Sequence, residues 1–377
     1  PVPRLEKRGS SDWSFRCMTN PDKKNPAPKG EPRVTLKTVA ERLGLTPGTI
    51  SAALNNSAAA RSIPERTKKR ILAAAKDLNY RPNYLARSLR LQRTYTIGVI
   101  AEEIGDAYGS LVISGIEQYL RSQNFFFLTV IHRHDETLLQ TYAQMLVTRG
   151  VEGFITTDTS ISHKLELPTV AVAGHGQVEN VTNVVLDHRV AARLALMHLK
   201  DLGHRDIAFF KGHPVSSDSG VRWAAVCETA QELGIAIKPE LTMQIESTNS
   251  TPELGYPITK QLLERKEHFT ALFAYNDISA IGACWALREA GIRVPEDVSV
   301  MGFDDIPAAG FNSPRLTTVR QPLERMGQIA AKTLVDRIEG TAEFVAEIAI
   351  EPELVVRAST SRAATHRAQA SAASIPE

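Results

Sequence analysis

The stretch Thr35–Asn55, TLKTVAERLGLTPGTISAALN, has the pattern of two short helices joined by a tight turn. Apolar residues recur at helical spacing as far as Leu43, and Gly44 follows as a residue that readily adopts the left-handed conformation of a helix end. Thr46 is then the expected N-cap of a second helix whose first residue is Pro47. The stretch therefore predicts a helix-turn-helix.

The second predicted helix has one apolar side, which we expect to face the first helix, and one exposed side. Its apolar side chains are Ile50, Ala53 and Leu54. The exposed side is small and mostly polar, and consists of Pro47, Gly48, Thr49, Ser51, Ala52 and Asn55. A helical hairpin inside a larger core would have the same spacing, so the flanking sequence must decide between the two interpretations.

The flanking sequence is strongly cationic. The third predicted helix, Pro64–Asn79, begins with a cluster of basic residues and carries Ile71, Leu72, Ala75 and Leu78 on one face. Between Arg33 and Arg93 there are thirteen Lys and Arg residues against three acids, about +10, whereas the whole chain carries +2. Such a local excess of positive charge is typical of a surface that binds a polyanion such as DNA. It therefore favours a DNA-binding helix-turn-helix over a helical hairpin inside a larger core.

Four segments in order resemble the lactose and galactose repressor family of bacterial transcription regulators. They are VTLKTVAERLGLTPGTISAALN (34–55), AAAKDLNYRPN (73–83), YLARSLR (84–90) and the strand TIGVI (96–100). The resemblance extends from about Val34 to about Val356. It implies a transcriptional regulator, most simply a repressor, that binds double-stranded operator DNA as a homodimer and responds to a small molecule.

The resemblance and the exposed helix side together give a set of expected DNA contacts. These are Thr35, Thr46, Pro47, Gly48, Thr49, Ser51, Ala52, Asn55, Asn83, Tyr84, Ala86, Arg87 and Leu89. Ala52 has no hydrogen-bonding group, so readout would rest on the hydroxyls of Thr49 and Ser51, the amide of Asn55 and contact of Ala52 with a thymine methyl. Alternatively, Asn55 only braces the loop after the helix.

Residues 81–93 form an expected hinge between the helix-turn-helix domain, 33–80, and the rest of the chain. Pro82 ends the third helix, and the following residues suffice for one short helix. The resemblance implies that this helix folds on the operator, pairs with its twin across the dimer and wedges Leu89 into the minor groove. Alternatively, the segment is a basic linker whose leucine docks on the core.

The remaining composition bounds the class of protein. The chain of 377 residues is 43% hydrophobic, and no run of apolar residues is long enough for a transmembrane helix. The first thirty residues lack an apolar signal core, and Cys17, Cys227 and Cys284 are widely spaced, which favours reduced thiols in a bacterial cytoplasm. We expect disorder in the basic extension 1–32 and in the tail 359–377, whose lack of a leucine heptad favours a dimer over a tetramer.

From Thr94 onward, strand-like and helix-like segments alternate in two series. This alternation predicts an α/β core, 94–358, with two doubly wound parallel sheets, in addition to the small all-α helix-turn-helix domain. The resemblance implies the two-lobed, periplasmic-binding-protein-like architecture, with one lobe at about 94–203 and 317–343 and the other at about 204–316 and 344–358. Ligands bind such sheets beyond the carboxyl ends of their strands, so a cleft is expected there.

Polar side chains after the predicted strands are candidates for binding the effector. They are Asp106, Tyr108, Asp187, Arg222, Asn276, Phe303 and Asp304. A guanidinium, carboxylates and an aromatic face suit a polyhydroxylated ligand such as a sugar. Asp187 and Asp277 could instead cap helices. The family's usual Asn-Pro-aromatic-aromatic stretch reads Gly105-Asp106-Ala107-Tyr108 here, which leaves the identity of the ligand open.

Enzymatic chemistry is not expected. The sequence has no Gly-x-Ser-x-Gly elbow, no phosphate loop and no histidines at metal-ligand spacing, so we predict no catalytic residues, no metal ligands and no cofactor. Two other classes remain as alternatives, a solute-binding protein with an incidental helical N-terminal domain and a sugar-processing enzyme. The basic helix-turn-helix without a signal peptide disfavours the first, and the missing catalytic constellation disfavours the second.

Overall fold

The computed structural model of the protein describes residues 34–55, 57–82, 84–246 and 251–363, with the side chains of 84–87 excluded. The chain divides into two compact units, one ending at Leu91 and one beginning at Gln92. The expected extension 1–32 and residues 364–377 of the expected tail lie outside the described residues.

The first unit is helical. Its elements are α1 (Leu36–Leu43), α2 (Pro47–Leu54), a 3₁₀ turn (Ala58–Ser62), α3 (Glu65–Asp77) and α4 (Tyr84–Leu91). Helices α1, α2 and α3 share a core made by Val39, Ala40, Ile50, Ile71 and Ala74. Leu72 differs from the prediction, because it is 53% exposed and Ala74 occupies the buried face of α3 instead.

The helix ends confirm the predicted helix-turn-helix. Gly44 ends α1 with φ +66°, a conformation that glycine adopts without a steric penalty. The hydroxyl of Thr46 accepts a hydrogen bond of 3.2 Å from the backbone N–H of Thr49 and so caps α2, whose first residue is Pro47. Thr35 caps α1 in the same way through a reciprocal pair of hydrogen bonds with Thr38.

The second unit is an α/β core. In chain order its regular elements are β1 (Thr96–Ala101), α5 (Ala107–Ser122), β2 (Phe126–Ile131), α6 (Glu136–Thr148), β3 (Phe154–Thr157), β4 (Thr169–Val172), β5 (Val181–Leu186), α7 (His188–Asp201), β6 (Ile207–Lys211), α8 (Ser217–Leu233), β7 (Thr242–Gln244), α9 (Gly255–Glu264), β8 (Ala271–Phe273), α10 (Asp277–Glu289), β9 (Ser299–Asp304), α11 (Pro307–Phe311), β10 (Thr317–Arg320), α12 (Leu323–Glu339), β11 (Glu347–Ile350) and β12 (Glu353–Val355).

Two six-stranded sheets confirm the predicted fold class. The strand order is β11-β5-β4-β3-β1-β2 in the first sheet and β12-β10-β9-β8-β6-β7 in the second. Neighbouring strands are parallel except for β10 and β12, which pair antiparallel. Helices cover both faces of each sheet, as buried strands of this kind require.

The expected lobe boundaries need three corrections. Helix α7 belongs to the second lobe, because its side chains Ala195 and Leu196 pack with Phe209 of β6. Strand β10 pairs with β9 in the second sheet rather than with the first lobe. Strand β11 pairs with β5 and so extends the first sheet. The chain therefore crosses between the lobes three times, after β5, after β10 and after β11.

Helices α5 and α12 pack closely on one face of the first sheet. A Cβ atom at Gly115 would clash with the carbonyl oxygen of Glu324, and one at Gly327 would clash with that of Val112. Glycine is therefore required at both positions for the two backbones to approach one another. This contact fixes the start of α5, which carries Asp106 and Tyr108 to the carboxyl edge of the sheet.

The expected disorder from residue 359 onward is wrong for residues 359–363. Ser359 is fully buried, and its hydroxyl accepts from the N–H of Thr317 at 2.8 Å and donates to the carbonyl of Val300 at 2.6 Å. The N–H of Ala363 donates to the carbonyl of Leu202. The segment satisfies backbone groups beside the second sheet, which its Ala- and Ser-rich composition did not reveal. In the described ranges, no helix has the length and apolar character needed to cross a membrane.

Candidate DNA-binding surface and effector cleft

The outward side of α2 agrees in part with the prediction. Pro47 and Gly48 are exposed, and Thr49 and Ala52 are partly exposed. Ser51 is a correction, because it is only 6% exposed. Its hydroxyl accepts a hydrogen bond from the Asn55 side chain at 3.2 Å and lies 3.5 Å from a guanidinium nitrogen of Arg90. Ser51 therefore joins α2 to α4 and does not present its hydroxyl to solvent.

Asn55 also uses its amide within the protein. Its Nδ2 donates to the carbonyl oxygen of Ser51 at 2.8 Å in addition to the Ser51 hydroxyl. The open alternative, that Asn55 braces the end of the helix, accounts for both hydrogen bonds. Thr35 and Thr46 are exposed caps of α1 and α2, with their hydroxyls at helix ends that could face a phosphate.

The predicted hinge contains helix α4. Asn83 lies outside the described residues, and Tyr84, Ala86 and Arg87 lie in α4 with side chains that are not described. Leu89 is 83% exposed, which is unusual for a leucine on a helix. The alternative that Leu89 docks on a core is therefore not supported within this unit.

The effector cleft lies at the carboxyl edges of the two sheets, as expected. It encloses an empty volume of about 660 Å³, counting the space open to solvent at its mouth. Its lining residues come from both lobes and are Glu102, Asp106, Tyr108, His134, Asp158, His213, Val215, Ser216, Asp218, Arg222, Ile245, Leu254, Tyr275, Asn276 and Asp304.

Arg222 is the central cation of the cleft. It is 6% exposed, and its guanidinium lies between the rings of Tyr275 and Phe303, with centroid distances of 4.5 Å and 3.9 Å. It donates to Asp218 at 2.9 Å and to the carbonyl of Tyr275 at 2.7 Å. Its Nε is buried and has no hydrogen-bond partner among the described residues.

Asp218 is surrounded by positively charged or proton-donating groups. Its Oδ1 lies 2.7 Å from Nε2 of His175 and 3.2 Å from Nε2 of His188, while Oδ2 faces Arg222. The contact with His175 has hydrogen-bond geometry, whereas the contact with His188 has only an ion-pair distance. Although burial pushes the pKa of Asp218 upward, His188, His175 and Arg222 together hold it well below its usual range.

Asp158 connects the two lobes. It follows β3 of the first lobe and accepts hydrogen bonds from the backbone N–H and the hydroxyl of Ser217, at 3.0 Å and 2.6 Å. Ser217 begins α8 of the second lobe, and its hydroxyl also lies 2.6 Å from the carbonyl oxygen of Ala173. The described structure therefore has polar contacts across the cleft on its inner side.

Three cleft carboxyls have no Lys, Arg or His within ion-pair distance among the described residues: Asp106, Asp158 and Asp304. Burial raises the pKa of Asp106 to about 6, although its bond from the Gly109 N–H opposes the rise. Burial likewise raises the pKa of Asp158. It raises the pKa of Asp304 to about 7, with Arg222 and Gln321 opposing. The cleft is therefore richer in carboxyl groups than its cations can neutralise.

Most of the predicted effector residues come together here, with two exceptions. Asp106, Tyr108, Arg222, Asn276 and Asp304 line the cleft. Asp187 is not among the lining residues, because its carboxylate caps α7 by accepting from Val190 N–H at 2.9 Å. Phe303 lies behind Arg222 and is 1% exposed, so it supports the guanidinium and does not reach a ligand.

The cap at α10 also differs from the expectation. Asn276 caps the helix through the Ser279 N–H, so Asp277 is not the cap. Asp277 is fully buried and accepts from the Ile306 N–H and the Thr318 hydroxyl, at 2.9 Å and 2.6 Å.

The sequence did not predict several residues that line the cleft or contact its lining residues. Asp158 follows a strand end as the predicted residues do, so the same rule could have found it. Asp218 lies four residues before Arg222 on one helix, which is an ion-pair spacing. His175 and His188 had no usable signal, because their proximity depends on the crossing from β5 to α7.

Together, the helix-turn-helix unit, the exposed hinge leucine and the two-lobed cleft define a ligand-responsive DNA-binding regulator. Residues 35–83 match the model of the bacterial regulatory proteins of the lacI family, and residues 196–360 match a periplasmic binding protein-like domain. The chain is 32% identical to the HTH-type transcriptional repressor PurR of Photorhabdus laumondii, over 86% of this chain and 96% of the relative.

Solved structures agree with this class. A Lac repressor dimer bound to operator and the anti-inducer ONPF superposes with a TM-score of 0.78 at 25% identity, covering 88% of this chain and all of that chain. A lacI-family regulator from Enterococcus faecium with bound ribose has a TM-score of 0.62 at 29% identity, covering 71% and 99% of the two chains. The protein belongs to the lacI family of bacterial regulatory proteins, and it is a DNA-binding transcriptional regulator with a ligand-binding core.

Proposed function

We propose that the protein is a homodimeric repressor in the cytoplasm whose operator affinity is controlled by a sugar or sugar derivative bound in the cleft. The observation that best supports the proposal is the position of Arg222 in the cleft lining, where its buried guanidinium contacts the rings of Tyr275 and Phe303 and its Nε has no hydrogen-bond partner among the described residues. The residues that we expect to bind the ligand with it are Asp106, Tyr108, Asn276 and Asp304.

A polyhydroxylated ligand suits this arrangement for a physical reason. Carboxylates accept hydrogen bonds from vicinal hydroxyls, and a fixed guanidinium donates to hydroxyl oxygens. The hydroxyl of Tyr108 is buried without a hydrogen-bond partner among the described residues, and a hydroxyl can act as donor or acceptor. The Enterococcus faecium regulator, which is similar to this chain, was solved with ribose, and this likeness supports a sugar class without selecting one sugar.

The DNA-binding half of the proposal rests on α2, α4 and charge. The N-terminal half of α2 presents small exposed residues, and α4 presents Leu89 to solvent. The cationic excess between Arg33 and Arg93 supplies attraction to phosphates. With Ser51 buried, base readout would rest on Thr49 and Ala52, so we expect DNA shape at the centre of the operator to contribute much of the specificity.

A homodimer is supported by the likeness to the operator-bound Lac repressor dimer. A twofold-symmetric protein places two helix-turn-helix units on two half-sites, so the operator should be palindromic. We assign no catalytic role to the cleft, since its relatives are transcriptional repressors. A solute-binding role is disfavoured by the helix-turn-helix unit.

The proposal is tested with selected DNA and a panel of sugars. Binding-site selection with the full chain should recover a palindromic operator, and one member of a panel including ribose, xylulose and cellobiose should change operator affinity at least tenfold. Arg222→Lys keeps the charge beside Asp218 but loses the planar fork, so we expect its sugar affinity to fall at least tenfold. Its operator affinity without sugar should stay within about twofold.

Arg189→Lys is the matched control. Arg189 forms an ion pair with Glu232 on the surface and is outside the cleft lining, so this substitution should leave sugar affinity unchanged. Equal sugar affinity in Arg222→Lys and the wild type would contradict the assigned site. Recovery of no common DNA sequence would contradict operator binding, and a response to none of the sugars would contradict the ligand class.

A further inference from the structure

His175, His188 and Asp218 bring three ligand-type atoms together at the inner end of the cleft. Their nearest donor atoms all lie within 4.8 Å of one another. The three residues come from different elements: His175 follows β4, His188 begins α7 and Asp218 lies in the first turn of α8. The first belongs to one lobe and the third to the other, so the cluster exists only where the lobes meet.

The buried ring of His188 lacks hydrogen bonds to its protein neighbours. Its side chain is 3% exposed, and neither ring nitrogen has a hydrogen-bond partner among the described residues. A buried polar group that is left without a hydrogen bond destabilises the folded protein. The ring stacks on Phe303, with a centroid distance of 6.3 Å, which holds it in place with Nε2 toward Asp218. Among the described residues, Nδ1 therefore has no hydrogen-bond partner, and Nε2 has only the ion-pair contact with Asp218.

The spacing of the cluster suits a transition-metal ion. Zinc binds imidazole nitrogens and carboxylate oxygens at about 2.0–2.2 Å, so two ligands of one tetrahedral ion lie about 3.3 Å apart. Oδ1 of Asp218 lies 2.7 Å and 3.2 Å from the two Nε2 atoms, so small ring movements would accommodate an ion. Two imidazoles and one carboxylate are also the ligand set of many open metal sites.

The carboxylate of Asp218 is oriented toward the two histidines. Its second oxygen, Oδ2, accepts a hydrogen bond from Arg222, which leaves Oδ1 facing His175 and His188. Arg222 would repel an ion, and the carboxyl groups of Asp106, Asp158 and Asp304, which line the same cleft without an ion-pair partner among the described residues, oppose this repulsion in their ionised form.

We infer that His175, His188 and Asp218 form a binding site for a divalent transition-metal ion of the zinc class, which bridges the two lobes. The fourth ligand position is left to water or to a donor atom of a cleft ligand. Because its ligands come from both lobes, the ion binds most tightly when the lobes are in the described arrangement and stabilises that arrangement by mass action. The inference does not depend on the ligand being a sugar.

The test is metal uptake by the full chain prepared without an affinity tag. Equilibrium dialysis against Zn²⁺ should give one ion per chain, and Co²⁺ should give visible absorption typical of nitrogen and oxygen ligands, without a thiolate charge-transfer band. His175→Gln and His188→Gln should each weaken binding at least tenfold. His175→Gln is the safer variant, because the side chain of His175 is 19% exposed whereas that of His188 is only 3% exposed.

His198→Gln is the matched control. His198 is also a partly buried histidine, but it forms its hydrogen bond with Thr360 away from the cleft, so metal affinity should not change. Circular dichroism checks that each variant is folded. The inference is overturned if the wild type takes up no ion, or if His175→Gln binds as tightly as the wild type. Operator binding is measured separately, so a failed metal site leaves the proposed function intact.

Discussion

Asp304 combines two unfavourable features in one residue. Its φ is +107°, a conformation that side chains other than glycine rarely adopt, and its carboxyl group is only 7% exposed. Gln321 donates to Oδ1 at 2.6 Å, but no Lys, Arg or His among the described residues lies within ion-pair distance. A strained backbone and a buried carboxyl group both destabilise the folded protein. Such features usually persist at functional sites, where the surrounding structure enforces them.

Asp304→Asn should make stability less dependent on pH. Because burial raises the pKa of Asp304 to about 7, the folded protein keeps a proton that the unfolded chain releases near pH 4. Stability is therefore lost as the pH rises from about 4 to about 7, by roughly 2–4 kcal/mol, and does not recover above that range. Asparagine keeps the acceptor and tolerates positive φ, so thermal melts at pH 8 should show a more stable variant.

Asp297→Asn provides the control for this measurement. The Arg293 guanidinium holds the pKa of Asp297 at about 2, so its titration lies below the tested range. This variant should keep the wild-type slope between pH 4 and 7. A wild-type slope in Asp304→Asn would show that another group causes the pH dependence.

For individual residues, the sequence predicted the location in the cleft where that location follows from the residue's position just after a strand. Asp106 and Asn276 lie just past strands, and strand ends meet at one edge of a parallel sheet, so their approach to a cleft was predictable. The burial of Ser51 was not predictable, because it depends on tertiary structure that the spacing of apolar residues does not give. The pairing of His175 with His188 depends in the same way on tertiary structure.

Among the helices, α4 combines an exposed leucine with a basic sequence. Leu89→Ala should weaken binding to the selected operator at least tenfold and binding to random DNA little, because only a site with a deformable central step offers a place for the wedge. Electrophoretic mobility shifts on both DNAs measure the two affinities.

Leu72→Ala is the matched control, since Leu72 is a second exposed leucine of the same unit and lies on α3, outside the hinge. It should leave the ratio of operator to random binding unchanged. If Leu89→Ala lost equal affinity for operator and for random DNA, the hinge helix would act only as a linker.

The boundaries between the lobes could not be predicted from the pattern of strands and helices. The alternation of strands and helices predicted most elements of the core as far as β9, because burial on both faces gives a recognisable apolar run, but it did not predict the elements after β9. This pattern does not show which of the two sheets a strand near the end of the chain joins. β10 and β11 are both only four residues long, and only their pairing with β9 and β5 assigns them to a sheet.

At the scale of the whole molecule, charge is distributed unevenly. A segment near +10 is part of a chain of net charge +2, so the rest of the chain is acidic. If each protomer neutralises roughly four phosphates, the logarithm of the operator binding constant should fall against the logarithm of salt concentration with a slope of about −7. Fluorescence anisotropy over a range of potassium chloride concentrations measures this slope.

The effector ligand, added at saturation, serves as the internal control for the same titration. It binds the core and should shift the affinity at every salt concentration without a large change of slope. A slope shallower than about −2 would mean that phosphate contacts do not dominate binding, contrary to the role assigned to the cationic segment.

The three crossings between the lobes have a genetic consequence. Because β11 completes the first sheet and β12 the second, the last part of the coding sequence is needed by both lobes. A stop codon or frameshift after α12 would therefore leave two sheets with unpaired edges, although nearly nine-tenths of the polypeptide had been translated. Late truncating alleles should behave like early ones, with loss of the whole regulator and not of a dispensable end.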